Sequence, residues 1–237
     1  MVDGLRVRRC ARHCSQEGTV QASVVLISFL VCAALFLLFP SLDLWVSAGF
    51  YRADCAFFWH SYPVAVWVYD AVPWVVVSLV IGLTATLLAS LLPMGARLRS
   101  QRRKIGYLLL VLLLGPGYLV NVVLKDHWGR ARPDQVQPFG GTHVFTPALI
   151  PTNQCNHNCS FVSGHASLGF YWVAFGFLSK RYRRHWMGAG LVAGSLIGMV
   201  RIVQGGHFLS DVVFSFFAVY FVAWFLHFWI QRQRTTQ

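Results

Sequence analysis

"PWVVVSLVIGLTATLLASLLPMGARLRSQRRK", residues 73–104, decides the fold. Residues 73–92 carry no charge, and Arg97, Arg99, Arg102, Arg103 and Lys104 follow directly. An apolar run of about 20 residues matches the hydrocarbon thickness of a bilayer. A basic link after it marks a connection held on the cytoplasmic side. Composition agrees: 56% of the 237 residues are hydrophobic, only 12% are charged, and the mean hydropathy is +0.55. Soluble domains carry about 25% charged residues. The chain therefore reads as an all-α, polytopic membrane bundle rather than a soluble protein with a large core.

Six spans are expected, near 22–39, 73–92, 105–124, 163–179, 187–203 and 208–230. The first is long for a cleaved signal and has no small-residue cleavage site after it, so it reads as an anchor. The net charge of +12 raises the question of nucleic acid, but its placement answers it. Basic clusters sit in the N-terminal tail (Arg6, Arg8, Arg9, Arg12), in the 97–104 link, in "KRYRRH" (Lys180, Arg181, Arg183, Arg184) and in the C-terminal tail (Arg232, Arg234). With six spans these four segments share one side, which places both termini in the cytoplasm. No nucleic-acid partner is expected. The whole chain reads as one membrane-embedded domain, with residues 1–21 as a cytoplasmic tail and 41–72 and 125–162 facing outward. The Trp, Phe and Tyr residues of 41–72 suit a membrane interface, as a short helix lying along it.

The cysteines divide by side. Cys10 and Cys14 belong to the cytoplasmic tail and should stay reduced; "CARHC" offers too few ligands for a complete metal site. Cys155 and Cys159, in "CNHNCSF", face an oxidising compartment, where they either pair and pin the approach to the fourth span or remain free thiols.

Polar residues converge at the outer ends of the spans. Lys125 closes the third span, ahead of "DHWGRARP"; Ser163, Gly164 and His165 open the fourth; Arg201 lies near the end of the fifth; His207 and Asp211 open the sixth. Each alone is unremarkable, since a Lys at a helix end is commonly an interface anchor. Together they gather three cations, two imidazoles, a carboxylate and a helix N-terminus. Such cations repel one another unless an anion visits, and a phosphate suits the set. Lys125, Arg132 and Arg201 can neutralise phosphate oxygens. The amides of Ser163 and Gly164 begin a helix, where unpaired N–H groups favour an anion. His207 and Asp211, four apart, share a helix face. Asp211 can accept a proton from one imidazole nitrogen and leave the other free to attack phosphorus, while His165 protonates the leaving oxygen.

These residues resemble the type 2 phosphatidic acid phosphatase superfamily, with its motifs K-x6-R-P, P-S-G-H and S-R-x5-H-x3-D. Lys125 to Arg132 and Pro133 match the first, Ser163-Gly164-His165 the second, and Arg201, His207 and Asp211 the third. The resemblance implies His207 as nucleophile, Asp211 as its orienting partner and His165 as acid and later base. It implies Lys125, Arg132, Ser163, Gly164 and Arg201 as phosphate binders, with no metal and no cofactor. Val162 stands where the family has Pro, and Val200 where it has Ser. "GPGYLVNVVLKDHWGRARP", "CNHNCSFVSG", "QGGHFLSDVV" and "LFPSLDLWVSAGFY" are similar to the bacterial lipid A 4'-phosphatase branch. That likeness implies an inner-membrane enzyme whose site faces the periplasm and whose partner is a phosphorylated membrane lipid. His127 and Arg130 could then contact the sugar or a second phosphate. Undecaprenyl pyrophosphate and phosphatidylglycerophosphate are alternative substrates. An anion or lipid transporter is an alternative class. A metal-dependent hydrolase built on His165, His207, Asp126 and Asp211 is another, but the nearby cations oppose a metal ion. Oligomeric state is not legible.

Overall fold

The computed structural model describes residues 22–54 and 56–235; the basic N-terminal cluster, Cys10 and Cys14 lie outside the described residues. Helix α1 (Ala22–Leu38) bends by 81° at Pro40 into the short helix α2 (Ser41–Ala48). A two-stranded antiparallel hairpin, β1 (Tyr51–Arg52) and β2 (Ala56–Phe57), leads to α3 (Pro63–Ala89). Helix α4 (Arg97–His127) follows a short 3₁₀ stretch. Helices α5 (Gly164–Phe170) and α6 (Val173–Leu178) are short and nearly continuous. Helices α7 (Arg183–Val203) and α8 (Leu209–Thr235) complete the bundle. The expected interfacial helix in 41–72 corresponds to α2.

Helix α3 starts at Pro63, ten residues before the start expected at Pro73. Pro63 has the fixed φ that suits a first helical turn. Pro73 does not end the helix but sits inside it. In lipid a helix outlasts an internal proline when other groups satisfy the freed carbonyl. Helix α4 answers Pro116 differently: its turns widen to π geometry over Leu113–Leu124.

Among the described residues, α3, α4, α7 and α8 are each long and apolar enough to cross a membrane, and α1 with α2 makes a fifth if the bent pair counts as one span. The expected fourth span, 163–179, is split by Tyr171 and Trp172 and lies at the centre of the bundle. Ala166, Leu168, Phe170, Tyr171, Val173, Ala174 and Phe177 are all buried. This is an all-α polytopic membrane bundle with one inner strand of helix wrapped by the others.

Small residues on α7 permit that enclosure. Gly190, Gly194 and Gly198 recur every fourth residue and so share a face. A β-carbon at Gly190 would strike Val173, one at Gly194 the ring of Phe170, and one at Gly198 the side chain of Val212. Helix association in lipid relies on such close backbone approach, because the surrounding tails are as apolar as the helices. Deep hydroxyls are tied to helix carbonyls: Tyr107 Oη donates to Ala223 O at 3.0 Å, and Tyr171 Oη to Leu108 O at 3.0 Å. Gly194→Val should overpack the α5–α7 contact at a cost of about 1–3 kcal/mol. A lower thermal midpoint in detergent is the expected reading, with no such fall for Gly188→Val, where a β-carbon meets open space.

Candidate active site

The turn between α7 and α8 sets the geometry. Helix α7 ends in a Schellman arrangement: Gly206 N donates to Arg201 O at 2.9 Å and Gly205 N to Ile202 O at 2.9 Å. Gly205 takes φ +72°, and a β-carbon at Gly206 would strike the Arg201 guanidinium. The two glycines therefore allow the chain to reverse directly over Arg201 and present His207.

His207 is 1% exposed, and its Nδ1 lies 2.7 Å from the carbonyl oxygen of Ser160. A carbonyl only accepts, so the ring proton sits on Nδ1 and Nε2 keeps its lone pair. Burial holds the imidazole neutral by lowering its pKa to about 3. Asp211 Oδ2 is 3.7 Å from Nδ1, which exceeds hydrogen-bond length. The expected direct proton contact between Asp211 and His207 is thus replaced by an electrostatic one, and the Ser160 carbonyl does the orienting.

Asp211 has other partners. Its Oδ2 accepts from Ser160 Oγ at 2.5 Å and from Phe208 N at 2.8 Å, which ties the first turn of α8 to the 158–163 segment. Its Oδ1 accepts from Arg130 Nη1 at 2.6 Å. Arg130 is fully buried, with Nη2 on Asp43 Oδ2 at 2.8 Å, Nε on Thr146 O at 2.9 Å and Nη1 also on Ser210 Oγ at 2.9 Å. Its guanidinium lies 4.3 Å from the Phe208 ring centroid. Burial alone would lower the pKa of Arg130, but Asp211 and Asp43 outweigh it and the net shift is upward. Arg130 is therefore placed inside the protein, bound to two carboxylates, and not on an open sugar-binding surface. His127 is exposed, with Nδ1 3.1 Å from Val123 O of its own helix.

Three cations face a different situation. Lys125, 6% exposed, donates from Nζ to Asn158 Oδ1 at 2.8 Å. Arg132 donates from Nη2 to Asn158 O at 2.8 Å. Arg201, also 6% exposed, donates from Nη1 to Gln204 Oε1 at 2.5 Å, while its buried Nε has no hydrogen-bond partner among the described residues. The ion pairs among the described residues join Arg130 to Asp43 and Asp211, His157 to Asp126 and His207 to Asp211, and none includes these three. Neutral oxygens hold them, and none makes a direct ion pair with a carboxylate among the described residues.

Ser163 caps α5: its Oγ accepts from Ala166 N at 3.4 Å, and its own N–H donates to Asp211 O at 3.1 Å. Its amide is therefore engaged, contrary to the expectation that it stays unpaired. The N–H groups of Gly164 and His165, in the first turn, have no acceptor among the described residues. Lys125, Arg132, Arg201, Ser163, Gly164, His165, His207 and Asp211 thus share one end of the bundle, while Arg130 lies beneath them.

Asn158, Ser160, Asp43 and Tyr69 escaped the sequence reading. Asn158, at φ 51°, lies inside the loop closed by a Cys155–Cys159 disulfide, and Cys159 N donates to Lys125 O at 3.0 Å. The ring of Tyr69, on α3, stacks on His165 at 4.6 Å between centroids. An acid in the apolar "SLDLWVSA" was the available signal for Asp43. Arg130→Ala should strand two buried carboxylates and destabilise the protein by about 3–5 kcal/mol. Unchanged thermal unfolding with only a raised KM would instead make Arg130 a substrate contact.

Comparison with known proteins places this geometry. The PAP2 superfamily profile matches residues 104–235, which contain every site residue except Asp43 and Tyr69. The chain is 37% identical over 205 residues to "Lipid A 4'-phosphatase" of Francisella tularensis subsp. novicida, covering 84% of this chain and 90% of that one. It is 44% identical over 122 residues to "Lipid A 4'-phosphatase" of Rhizobium leguminosarum, covering 50% of this chain and 52% of that one. It is 30% identical over 145 residues to "Phosphatidylglycerophosphatase B" of Bacillus subtilis, covering 57% and 64%. No solved structure matches. The matched profile covers more than half of the chain and carries all three spaced motifs, so the chain belongs to the PAP2 superfamily as a membrane-embedded lipid phosphatase.

Proposed function

We propose that the protein hydrolyses the 4'-phosphate monoester of lipid A, without a metal or other cofactor, through a phosphohistidine. One observation carries the chemistry: a neutral imidazole with its proton fixed on Nδ1 lies among three cations, none in a direct ion pair with a carboxylate among the described residues. In the first step His207 Nε2 attacks phosphorus, the ester P–O bond breaks, and the leaving oxygen takes a proton from His165. In the second, water attacks the phosphorus and passes a proton to His165. The P–N bond then breaks, phosphate departs, and His207 regains its lone pair. Lys125, Arg132, Arg201 and the free amides of Gly164 and His165 stabilise the charge on the phosphoryl oxygens. Asp211 offsets the positive charge that grows on His207, and Arg130 holds Asp211 in place. Three local cations disfavour a metal ion. No group of three or more His, Cys, Asp or Glu side chains able to hold a metal occurs among the described residues.

The relatives named for lipid A 4'-phosphatase support the choice of substrate, since one of them aligns over most of both chains. The same likeness supports the bacterial inner membrane as location and the bilayer as partner. The alternation of basic links supports six spans in one domain, both termini cytoplasmic and the site open to the periplasm. On this reading 1–21 is a cytoplasmic tail, and 41–72 and 125–162 lie outward, apart from the residues that α3 takes up.

Mass spectrometry of lipid A from cells with and without the protein is the direct test. Loss of one phosphate from the distal glucosamine is expected, and an unchanged lipid A would redirect the reading to phosphatidylglycerophosphate or a polyprenyl pyrophosphate. Acid-quenched enzyme fed labelled substrate should retain label on His207, and His207→Ala should abolish both label and turnover. The pH profile offers a further check. A histidine loses its lone pair only below its pKa, here about 3, so kcat/KM should show no acid limb from His207 above about pH 4. A limb near pH 6 that vanishes in a slow His207 variant would overturn the buried neutral nucleophile.

A further inference from the structure

Residues 69–73 of α3 read "YDAVP", and they meet the active site in two ways. The ring of Tyr69 stacks on the imidazole of His165, with centroids 4.6 Å apart and planes 15° from parallel. The guanidinium carbon of Arg201 lies 4.6 Å from the same ring's centroid. One aromatic side chain thus touches both the expected acid and an expected phosphate binder. The second meeting is through the backbone. His165 Nε2 lies 3.2 Å from the carbonyl oxygen of Tyr69.

That carbonyl is available for a covalent reason. In an α-helix the oxygen of residue i accepts from the N–H of residue i+4. The residue four beyond Tyr69 is Pro73, which has no N–H, and α3 continues through it. The Tyr69 oxygen is therefore the one carbonyl in this part of α3 that the helix itself leaves without a donor. A bilayer supplies no replacement from lipid, so the donor comes from a neighbouring part of the protein or from ordered water. Here His165 is that donor.

We infer that the Tyr69–Pro73 pair is a positioning device for His165 and Arg201. A carbonyl accepts only, so Nε2 carries a proton and Nδ1 is the nitrogen that exchanges with substrate. With Nε2 protonated throughout, His165 enters this step as the imidazolium, its Nδ1 proton held beside the bound phosphate anion; as the ester bond breaks, that Nδ1 proton moves to the leaving oxygen and leaves a neutral ring. When water attacks the phosphoenzyme, its proton returns to Nδ1. The Nε2–H bond to Tyr69 O persists through both steps, and the stacked ring fixes the plane in which Nδ1 points. Cation–π contact with the same ring keeps Arg201 beside it. Tyr69 and Pro73 touch neither substrate nor reacting atoms in this account and are not catalytic residues.

The inference rests on the phosphatase reading and on His165 as acid, and the experiment separates the three. Pro73→Ala restores an N–H that competes for the Tyr69 carbonyl. Alanine also suits a helix interior far better than proline, so the variant should unfold at least as high as the wild type in detergent. Its kcat/KM should be measured for lipid A, whose leaving oxygen is a sugar alcohol that needs a proton. The comparison substrate is 4-nitrophenyl phosphate, whose leaving group departs without one. At least a tenfold loss for lipid A and less than a threefold loss for the aryl ester is expected. Equal losses, or no loss for either, would overturn the inference. Pro73→Gly restores the same N–H and replaces Pro73→Ala if that variant does not fold. Tyr69→Leu keeps the carbonyl but removes the ring, and should raise KM for both esters as Arg201 loosens. His165→Ala should show the same preference for the aryl ester; its absence would count against His165 as acid. A wild-type protein that frees phosphate from neither ester would end the phosphatase reading itself.

Discussion

A guanidinium held between two carboxylates, with all three out of reach of water, is the constraint on which the site depends. Arg130 links Asp43 of α2 to Asp211 of α8 at 2.8 and 2.6 Å, and its own segment follows α4. Taking three charges out of water is expensive, and their mutual attraction recovers the cost only when every remaining donor and acceptor is met. Here they are: Ser210 donates from N and Oγ to Asp43, Thr146 O accepts from Arg130, and Ser160 and Phe208 donate to Asp211. A shift of any one segment would leave a buried charge unpaired. The network therefore fixes the register of five segments of the chain around His207, and acts as a specificity device more than as a source of stability.

The outer layer obeys the opposite rule. Lys125, Arg132 and Arg201 are held by the oxygens of Asn158 and Gln204, which are polar but uncharged. A carboxylate in those places would neutralise the cations and compete with a phosphate. Neutral acceptors keep the side chains aimed without lowering their attraction for an anion. The fixed positive field also suits a neutral His207, since each nearby cation disfavours a second proton on the imidazole. Carboxylates beneath and cations above give the site a direction, from the buried Asp211 through His207 to the three cations.

How much of this was legible follows from which groups leave a pattern in the chain. Apolar runs and basic links are local, so the membrane fold and the rough places of most helices could be read directly. The three motifs have short fixed spacings, so Lys125, His165, Arg201, His207 and Asp211 stood out. Asp43 and Arg130 are 87 residues apart and have no such spacing. Arg130 was noticed, but its loop of polar neighbours suggested an exposed residue, and only packing reveals its burial. Asn158 acts through a backbone carbonyl as well as its side chain, and Ser160 orients His207 by a carbonyl that every residue type possesses. Such contacts leave no trace in residue identity. The start of α3 is hidden for a related reason: Pro73 reads as a boundary in the sequence, although a proline inside lipid is tolerated wherever its freed carbonyl finds a donor.

Prolines in fact place much of the polar machinery. Pro40 turns the chain by 81° between α1 and α2, so that α2 carries Asp43 inward toward Arg130 instead of onward along the span. Pro73 frees the Tyr69 carbonyl that meets His165. Pro116 lies in the widened part of α4, where Asn121 Nδ2 donates to its carbonyl at 2.7 Å. The amide oxygen of Asn121 then lies against Gly164, where a β-carbon would strike it. Each proline interrupts a backbone ladder that a bilayer otherwise enforces, and at Pro40 and Pro73 the interruption lies next to Asp43 and His165. A helix in lipid has no unused carbonyls to offer an imidazole. A proline one turn further on creates one, so a polar site at the edge of an apolar bundle can draw on backbone groups without introducing further charges.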